Sequence, residues 1–503
     1  MNLLAQDPNS LASHSIQKSI NDLINCYHLN DFEKTIKFSF DLLSKNIEMP
    51  IIYSLLGLSL YHNGLKKDAI KVFETGISKN FNDAELFNNF AIVSQLLKDY
   101  KKAEELSKKA ISINPNKSEF YFSYGISLYS NGKIDEAISA YKTSFKKNKD
   151  NHQALLELGN TLKDSKRFNQ AIETYRKYQK VFSKRSEGFY CEGTLHIRSQ
   201  RFKIGWKLYD KALIDKARIP VNGYFDEQKE LWDGQKFNGK LLIYGEQGLG
   251  DQILYATVIP DLIEYHERII LKVSKKLKKF FRFNFPSIEV YSENENIPLS
   301  SYDKYISIGS LCKFFRKDLS DFKNSKFDTF KSSFQNKKLM NGFKSQKPKI
   351  GISWFTIAEK SGKTRSLKCE EISKLIKLKE FDFINLQYGE IDNQIQRIQS
   401  FTNNKLINIP NVDLTNDICA ISEVICNCDL VITIDNTIAH LSSSLGKETW
   451  VLLPYSGDAR WFEKINHSLW YKNSTLFRQS VSKNWDEILN KIEFKLTNYN
   501  FTG

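Results

Sequence analysis

Apolar positions along this chain follow two different rhythms. Over residues 50–217 small side chains recur at Gly57, Ala91, Gly125, Gly159 and Gly193, each 34 after the last, and a second small series runs Ala69, Ala103, Ala137, Ala171 and Gly205 at the same step. A third series in phase with these, Phe73, Ser107, Tyr141, Tyr175 and Tyr209, is aromatic at four of its five places. Ladders in phase at one step mark five repeats, and Pro115 closes one of them where a helix must stop. Residues 16–49 are helical in pattern but irregular, as suits a degenerate cap on a stack whose end face meets water.

The 34-residue rhythm stops between 219 and 238, where Pro220, Gly223 and the turn Trp232-Asp233-Gly234 occur, and residues 218–238 are read as a linker. From there short apolar runs alternate with longer helical stretches. The runs are 240–244, 268–273, 288–291 and 305–308, then, past a polar lysine-rich connection, 349–354, 381–387, 429–434 and 449–453. Strands separated by helices build parallel sheets. Two Rossmann-like domains are expected, 239–335 and 349–503 with a linker at 336–348, leaving a cleft between the carboxyl edges of their sheets.

Two turns at strand ends carry the candidate chemistry. The first apolar run feeds into Gly245-Glu246-Gln247-Gly248-Leu249-Gly250-Asp251-Gln252. Glycines let a backbone bend sharply and approach a ligand closely, and the amides that open the next helix suit an anion. The spacing is G-x-x-G-x-G and not the G-x-G-x-x-G of dinucleotide enzymes, so alone it reads equally as a tight strand-to-helix turn. The second turn, Asp435-Asn436-Thr437, precedes a helix expected from about Ile438 with His440 in its first turn. Such a helix start suits a diphosphate, while Asp435 or Thr437 reads equally as a plain helix cap and His440 as a packed side chain.

Composition narrows the picture further. A chain of 503 residues divides into two to four domains. The formal charge of +15 comes from lysines scattered through every segment beside abundant Asn and Ile, so nucleic acid is not an expected partner, and the densest basic run, 272–282, has the alternation of an amphipathic helix. No apolar run approaches the roughly 20 residues of a membrane span, and residues 1–10 lack a basic and an apolar segment, so a cytoplasmic location is expected. Seven cysteines without regular spacing read as reduced thiols; Cys419, Cys426 and Cys428 lack a fourth zinc ligand and are expected to be buried small residues.

The repeated segment resembles the tetratricopeptide repeat (TPR), which implies a superhelix whose concave face holds a peptide or another domain. Large peptide-modifying sugar transferases with such repeats carry an asparagine two places before the small position; here Leu55, Asn89, Ser123, Glu157 and Cys191 stand there, so that grip does not carry over. Beyond the repeats, several motifs lie in order. They are Glu246-Gln247-Gly248-Leu249-Gly250-Asp251, Ile350-Gly351-Ile352-Ser353-Trp354, Leu386-Gln387-Tyr388-Gly389, Asp435-Asn436-Thr437-Ile438-Ala439-His440-Leu441, Trp450-Val451-Leu452-Leu453-Pro454, Arg460-Trp461 and Phe477-Arg478-Gln479. Over about residues 200–490 they resemble bacterial TPR glycosyltransferases related to the heptosyltransferases.

The resemblance implies an α-helical TPR superhelix followed by an α/β GT-B fold of two Rossmann-like domains, the C-terminal one holding a nucleotide-sugar and the N-terminal one the acceptor. It implies Asp251 as general base, taking the proton of an acceptor hydroxyl. Thr437, His440 and the helix amides, with Lys363 and Arg365 of the loop after residue 354, would meet the charge of the leaving nucleoside diphosphate. Gly248, Gly250, Asp435 and Asn436 of the two turns would also bind the nucleotide-sugar, and Gln387 and Tyr388 would line the pocket for base or ribose. No D-x-D pair follows a strand, so metal-independent transfer with inversion is expected, with no cofactor beyond the donor. Phe355 and Ser442-Ser443-Ser444 depart from the pattern of the relatives. The expected reading is a glycosyltransferase whose repeats recruit a protein or glycan acceptor; its rival is a repeat scaffold with a non-catalytic transferase-like region.

Overall fold

The computed structural model describes residues 8–214, 229–246, 248–332, 345–357, 362–481 and 484–501, and they fall into two compact units, Met1–Tyr178 and Gln179–Gly503. Most of each expected linker, 218–228 and 336–344, lies outside the described residues.

The first unit is a run of antiparallel helix pairs: Pro8–His28 with Phe32–Ser44, Pro50–His62 with Lys66–Ser78, Ala84–Leu96 with Tyr100–Ile113, Ser118–Ser130 with Ile134–Lys147, and His152–Asp164 with Phe168–Val181. The small and aromatic series explain the pairing. A Cβ placed on Gly57 would lie 2.4 Å from the Phe73 ring, one on Gly125 2.6 Å from Tyr141, and one on Gly159 2.4 Å from Tyr175. Each glycine therefore receives a ring from the second helix of its own pair. Where Ser107 replaces the ring, Ala91 replaces the glycine.

A further series at the same step joins the helices of each pair. Asn30, Gly64, Lys98, Gly132, Lys166 and Gln200 all have left-handed backbones, with φ of 58°, 82°, 67°, 83°, 60° and 60°. The residue after each donates its N–H to the carbonyl five places back, as from Asp31 to Cys26 at 3.1 Å and Lys133 to Leu128 at 2.9 Å, the bond that closes a helix C-terminus. The irregular first pair obeys this rule too, so it is a full member of the array.

The second unit opens with a sixth pair, Glu187–Arg198 and Phe202–Ile214, and continues into two parallel sheets. The first sheet holds β1 (Glu230–Leu231), β2 (Leu241–Tyr244), β3 (Ile269–Val273), β4 (Glu289–Ser292) and β5 (Lys304–Ser307), in the order β1-β5-β2-β3-β4. The second holds β6 (Lys349–Ser353), β7 (Asp382–Asn385), β8 (Leu406–Ile407), β9 (Leu430–Ile434), β10 (Thr449–Leu453) and β11 (Ser474–Arg478), in the order β11-β10-β9-β6-β7-β8. Helices cover both, so β9 and β10 are buried along their whole length and read as unbroken apolar runs. The expected Trp232-Asp233-Gly234 turn lies against the first sheet: Trp232 is buried and donates its indole N–H to the Gln235 carbonyl at 2.7 Å, and Gly234 has φ of 93°.

The sixth pair is packed into this unit through large side chains. Trp206 donates Nε1–H to the Arg316 carbonyl at 2.8 Å, and buried Arg198 pairs with Glu463 at 2.6 Å. The cysteines are free thiols; Cys419 and Cys428 are buried as expected, whereas Cys426 is exposed. Among the described residues, no helix is long and apolar enough to cross a membrane.

Candidate ligand site at the carboxyl edges of the sheets

Each sheet reverses its direction of winding once, between β2 and β5 in the first and between β6 and β9 in the second. Open parallel sheets bind ligands outside the carboxyl ends of the strands at such reversals. The turn after β2 is the glycine-rich one, and that after β9 is Asp435–Thr437. Helices Leu249–Ala256 and Thr437–Ser444 follow them, and the two turns adjoin: a Cβ on Gly250 would stand 2.9 Å from Cδ2 of His440 and 3.6 Å from Cα of Thr437.

The glycines act differently from expectation. Neither Gly245, Gly248 nor Gly250 has a positive φ, so none is there for a sharp bend. They make room for neighbours instead: a Cβ on Gly245 would meet Gln252 at 2.9 Å, one on Gly248 the Asp251 carboxylate at 2.8 Å, and one on Gly250 the His440 ring.

Asp251 stands in the first turn of its helix, 30% of its side chain open, and pairs with Arg460, whose Nε also donates to Asp458 at 2.8 Å. Removal from water raises the Asp251 pKa, with Asp458 and Glu246 adding to the rise and Arg460 opposing it. At Asp458 burial also disfavours the charge, but Arg460 overcomes it by attraction and hydrogen bonding, and that carboxyl is held below its ordinary value. Arg460 was quoted from the sequence only as part of a motif. It is the hub of the site, and its signal was its position just past the end of β10.

His440 faces no open gap. It is buried, its ring stacks on Trp461 at 4.9 Å between centroids and 14° between planes, and Nδ1 lies 3.1 Å from the Tyr471 hydroxyl. Burial, then the charge of Arg460, lowers its pKa to about 3, so the ring is neutral and brings no positive charge to a phosphate. Its Trp461 neighbour donates Nε1–H to the Asp435 carboxylate at 2.7 Å, and Arg365 reaches the other oxygen at 3.0 Å. Arg365 follows β6 and Asp435 follows β9, so this pair spans the reversal of the second sheet.

The helix cap is Asn436, neither Asp435 nor Thr437. Its Oδ1 accepts from the amides of Ile438 at 2.9 Å and Ala439 at 3.3 Å, and Nδ2 donates to Ser353 Oγ at 2.8 Å. Ser353 donates in turn to Oε1 of Gln387 at 3.0 Å, an atom that also accepts from the amides of Trp354 at 2.9 Å and Phe355 at 2.8 Å. Nε2 of Gln387 donates to the carbonyls of Phe355 and Tyr388 at 3.0 and 3.1 Å. Gln387 therefore ties the ends of β6, β7 and β9 together. Tyr388 is half-buried, donates to Thr356 Oγ1 at 3.3 Å, and has its pKa raised by burial. Thr437 is half-buried at the helix start, and the Lys363 side chain lies outside the described residues. No group of His, Cys, Asp and Glu able to hold a metal occurs among the described residues.

The class defined by this architecture is a tetratricopeptide-type repeat array joined to an α/β unit of two parallel sheets. Residues 96–178 match the family model described as anaphase-promoting complex, cyclosome, subunit 3. Protein FlbA of Caulobacter vibrioides is 20% identical over 99% of this chain and 92% of its own length. A TPR repeat-containing protein of Methanocaldococcus jannaschii is 31% identical over 24% of this chain and 22% of its own. A solved structure of MamA is 18% identical with a TM-score of 0.30, covering 33% of this chain and 92% of that one.

Proposed function

We propose that this chain is a protein-interaction protein that holds a partner on its repeat unit. The observation that carries this reading is how the array uses its side chains. The small and aromatic series are spent on packing inside the helix pairs, while on the second helices the positions between them, such as Lys142, Lys146, Glu173 and Lys177, remain open to solvent. Stacked repeats offer such surfaces to extended segments of other proteins. Seven free thiols suit a reducing compartment such as the cytoplasm. On this reading the α/β unit is a fold without turnover, its polar groups engaged with one another: Asn436 and Gln387 hold strand ends, and Asp251 and Asp435 hold arginines.

A second reading of the α/β unit is favoured by one observation, the meeting of both reversals beside a part-open carboxylate. On it the unit has the GT-B arrangement and transfers a sugar from a nucleotide-diphosphate sugar to a hydroxyl of the bound partner or of a glycan. The acceptor oxygen forms a bond to the anomeric carbon and its proton passes to Asp251. The bond from that carbon to the phosphate oxygen breaks, and the nucleoside diphosphate leaves with the electron pair. Arg365, Lys363 and the Thr437 hydroxyl then meet the leaving charge, His440 gives shape and no charge, and Arg460 must first release Asp251.

Thermal unfolding of the full chain with millimolar UDP, GDP, ADP or CDP separates the two. A rise in Tm with one of them, lost in Arg365→Ala, supports transfer. No response to any supports the scaffold, and mass spectrometry of the chain with a nucleotide-sugar panel then yields no transferred sugar.

A further inference from the structure

A concavity of about 370 Å³ lies between the second helices of two consecutive pairs, Ile134–Lys147 and Phe168–Val181. Its floor is Phe145 with Leu155 and Leu158, all buried. Its walls carry Lys142, Lys146, Lys149 and Lys177 against a single acid, Glu173. The ammonium groups of Lys149 and Lys177 lie 4.8 and 5.0 Å from the centre of the Phe145 ring, so two charges converge on one point of the floor.

The rest of the array treats such charges otherwise. Neighbouring repeats are stitched there by opposite pairs: Lys79 with Glu48 at 2.7 Å, Lys102 with Glu74 at 2.6 Å and Lys133 with Glu104 at 2.6 Å. Two repeats on from Glu74 and Lys102 stand Lys142 and Gln170, so the two second helices here are joined only near their N-termini, by Arg167 with Asp135 at 2.7 Å, and not along the groove where Lys142, Lys146 and Lys177 lie. Among the described residues Lys142, Lys146, Lys149 and Lys177 form no ion pair. Four like charges in one groove repel, and a ligand that supplies carboxylates relieves that repulsion.

We infer that this groove seats an acidic segment of the partner protein, its carboxylates between the four lysines and an aliphatic side chain on the Phe145, Leu155 and Leu158 floor; the inference rests on the reading that the repeat unit holds a protein. Nucleic acid fits less well, because Phe145 is only 5% exposed and the groove offers no open ring on which a base could stack.

Fluorescence anisotropy on the full chain tests it, using a labelled Asp/Glu-rich peptide with one central Leu, its Asn/Gln counterpart, and a single-stranded oligonucleotide of equal charge. The acidic peptide binds, the Asn/Gln peptide binds at least about tenfold more weakly, and the double variant Lys142→Glu, Lys177→Glu weakens the acidic peptide by a similar factor. The control Lys66→Glu, Lys67→Glu, on an earlier second helix, leaves binding unchanged, and circular dichroism shows both variants folded. Equal binding by the groove variant, equal loss in the control, or displacement of the peptide by the oligonucleotide at lower concentration overturns the groove. If the peptide still binds the groove variant and is lost instead on substituting Tyr121 or Phe122 on a first helix, only the groove is overturned and the repeat unit remains the protein-binding part.

Discussion

The helix pairs of the first unit and the pair that opens the second share one turn but differ in how they close. In three pairs of the first unit a glycine of one helix accepts an aromatic ring of the other, and the ring is the spacer. In Glu187–Arg198 and Phe202–Ile214 the spacer is gone. A Cβ on Gly193 would lie 2.7 Å from the backbone nitrogen of Tyr209 and 2.9 Å from the Gly205 carbonyl, so backbone meets backbone. The Tyr209 ring is released to pack beside Trp206 at 5.6 Å, and its hydroxyl lies 3.4 Å from that of Tyr255. The same local code thus builds a stack in one unit and a docking element in the other; what changes is where the large side chains go.

Acid should separate the two units most. His440 has a depressed pKa, so the stability that depends on its neutral ring is fully present above about pH 6.5, the ordinary histidine value. It is lost as pH falls toward about 3. Linkage makes this about 1.4 kcal/mol for each pH unit across that window. Unfolding of the second unit, followed by tryptophan fluorescence, should weaken along this limb, and His440→Gln should flatten it. A limb unchanged in the variant would place the acid sensitivity elsewhere.

Next in size is the buried pair that fixes the sixth helix pair. Arg198→Ala removes the guanidinium that pairs with the Glu463 carboxylate in a site where that side chain is 10% exposed, and urea unfolding should show a loss of about 3–5 kcal/mol. Smaller, and more diagnostic of the comparison, is Gly193→Ala, expected to cost about 1–3 kcal/mol with no side-chain trimming able to recover it. Gly159→Ala should cost a similar amount, but Tyr175→Leu in the same chain should restore most of it, because there the obstacle is a ring. Equal recovery in both places would erase the distinction drawn here. Smallest is Lys98→Gly, which relieves a left-handed lysine and should stabilise the first unit by about 1 kcal/mol.

Legibility follows the range of the contacts. A repeat touches only its neighbours, so Gly57 and Phe73, sixteen places apart, could be paired from spacing alone. The left-handed series escaped notice because only Gly64 and Gly132 of its six members are glycine; Lys98, Lys166 and Gln200 carry no residue signal for that conformation. In the α/β unit, strands buried on both faces, such as Thr449–Leu453, were visible as apolar runs. Glu230–Leu231 and Leu406–Ile407 are too short to show a period, and Ser474–Arg478 is a polar-led edge strand. The meeting of the Gly250 and His440 turns could be inferred from two strand-to-helix junctions. The roles of Arg460 and Gln387 could not, because each is defined by partners that are distant in the chain and adjacent only once both sheets have formed.

Hydrogen exchange of the full chain, with and without the acidic peptide and with and without UDP, GDP, ADP or CDP, tests the central claim that binding belongs to the repeat unit. The account predicts protection by the peptide over Ile134–Lys147 and Phe168–Val181, and none by any nucleotide at Leu249–Ala256 or Thr437–Ser444. Protection by a nucleotide at those two helix starts, with no response of the helical unit to the peptide, would contradict it.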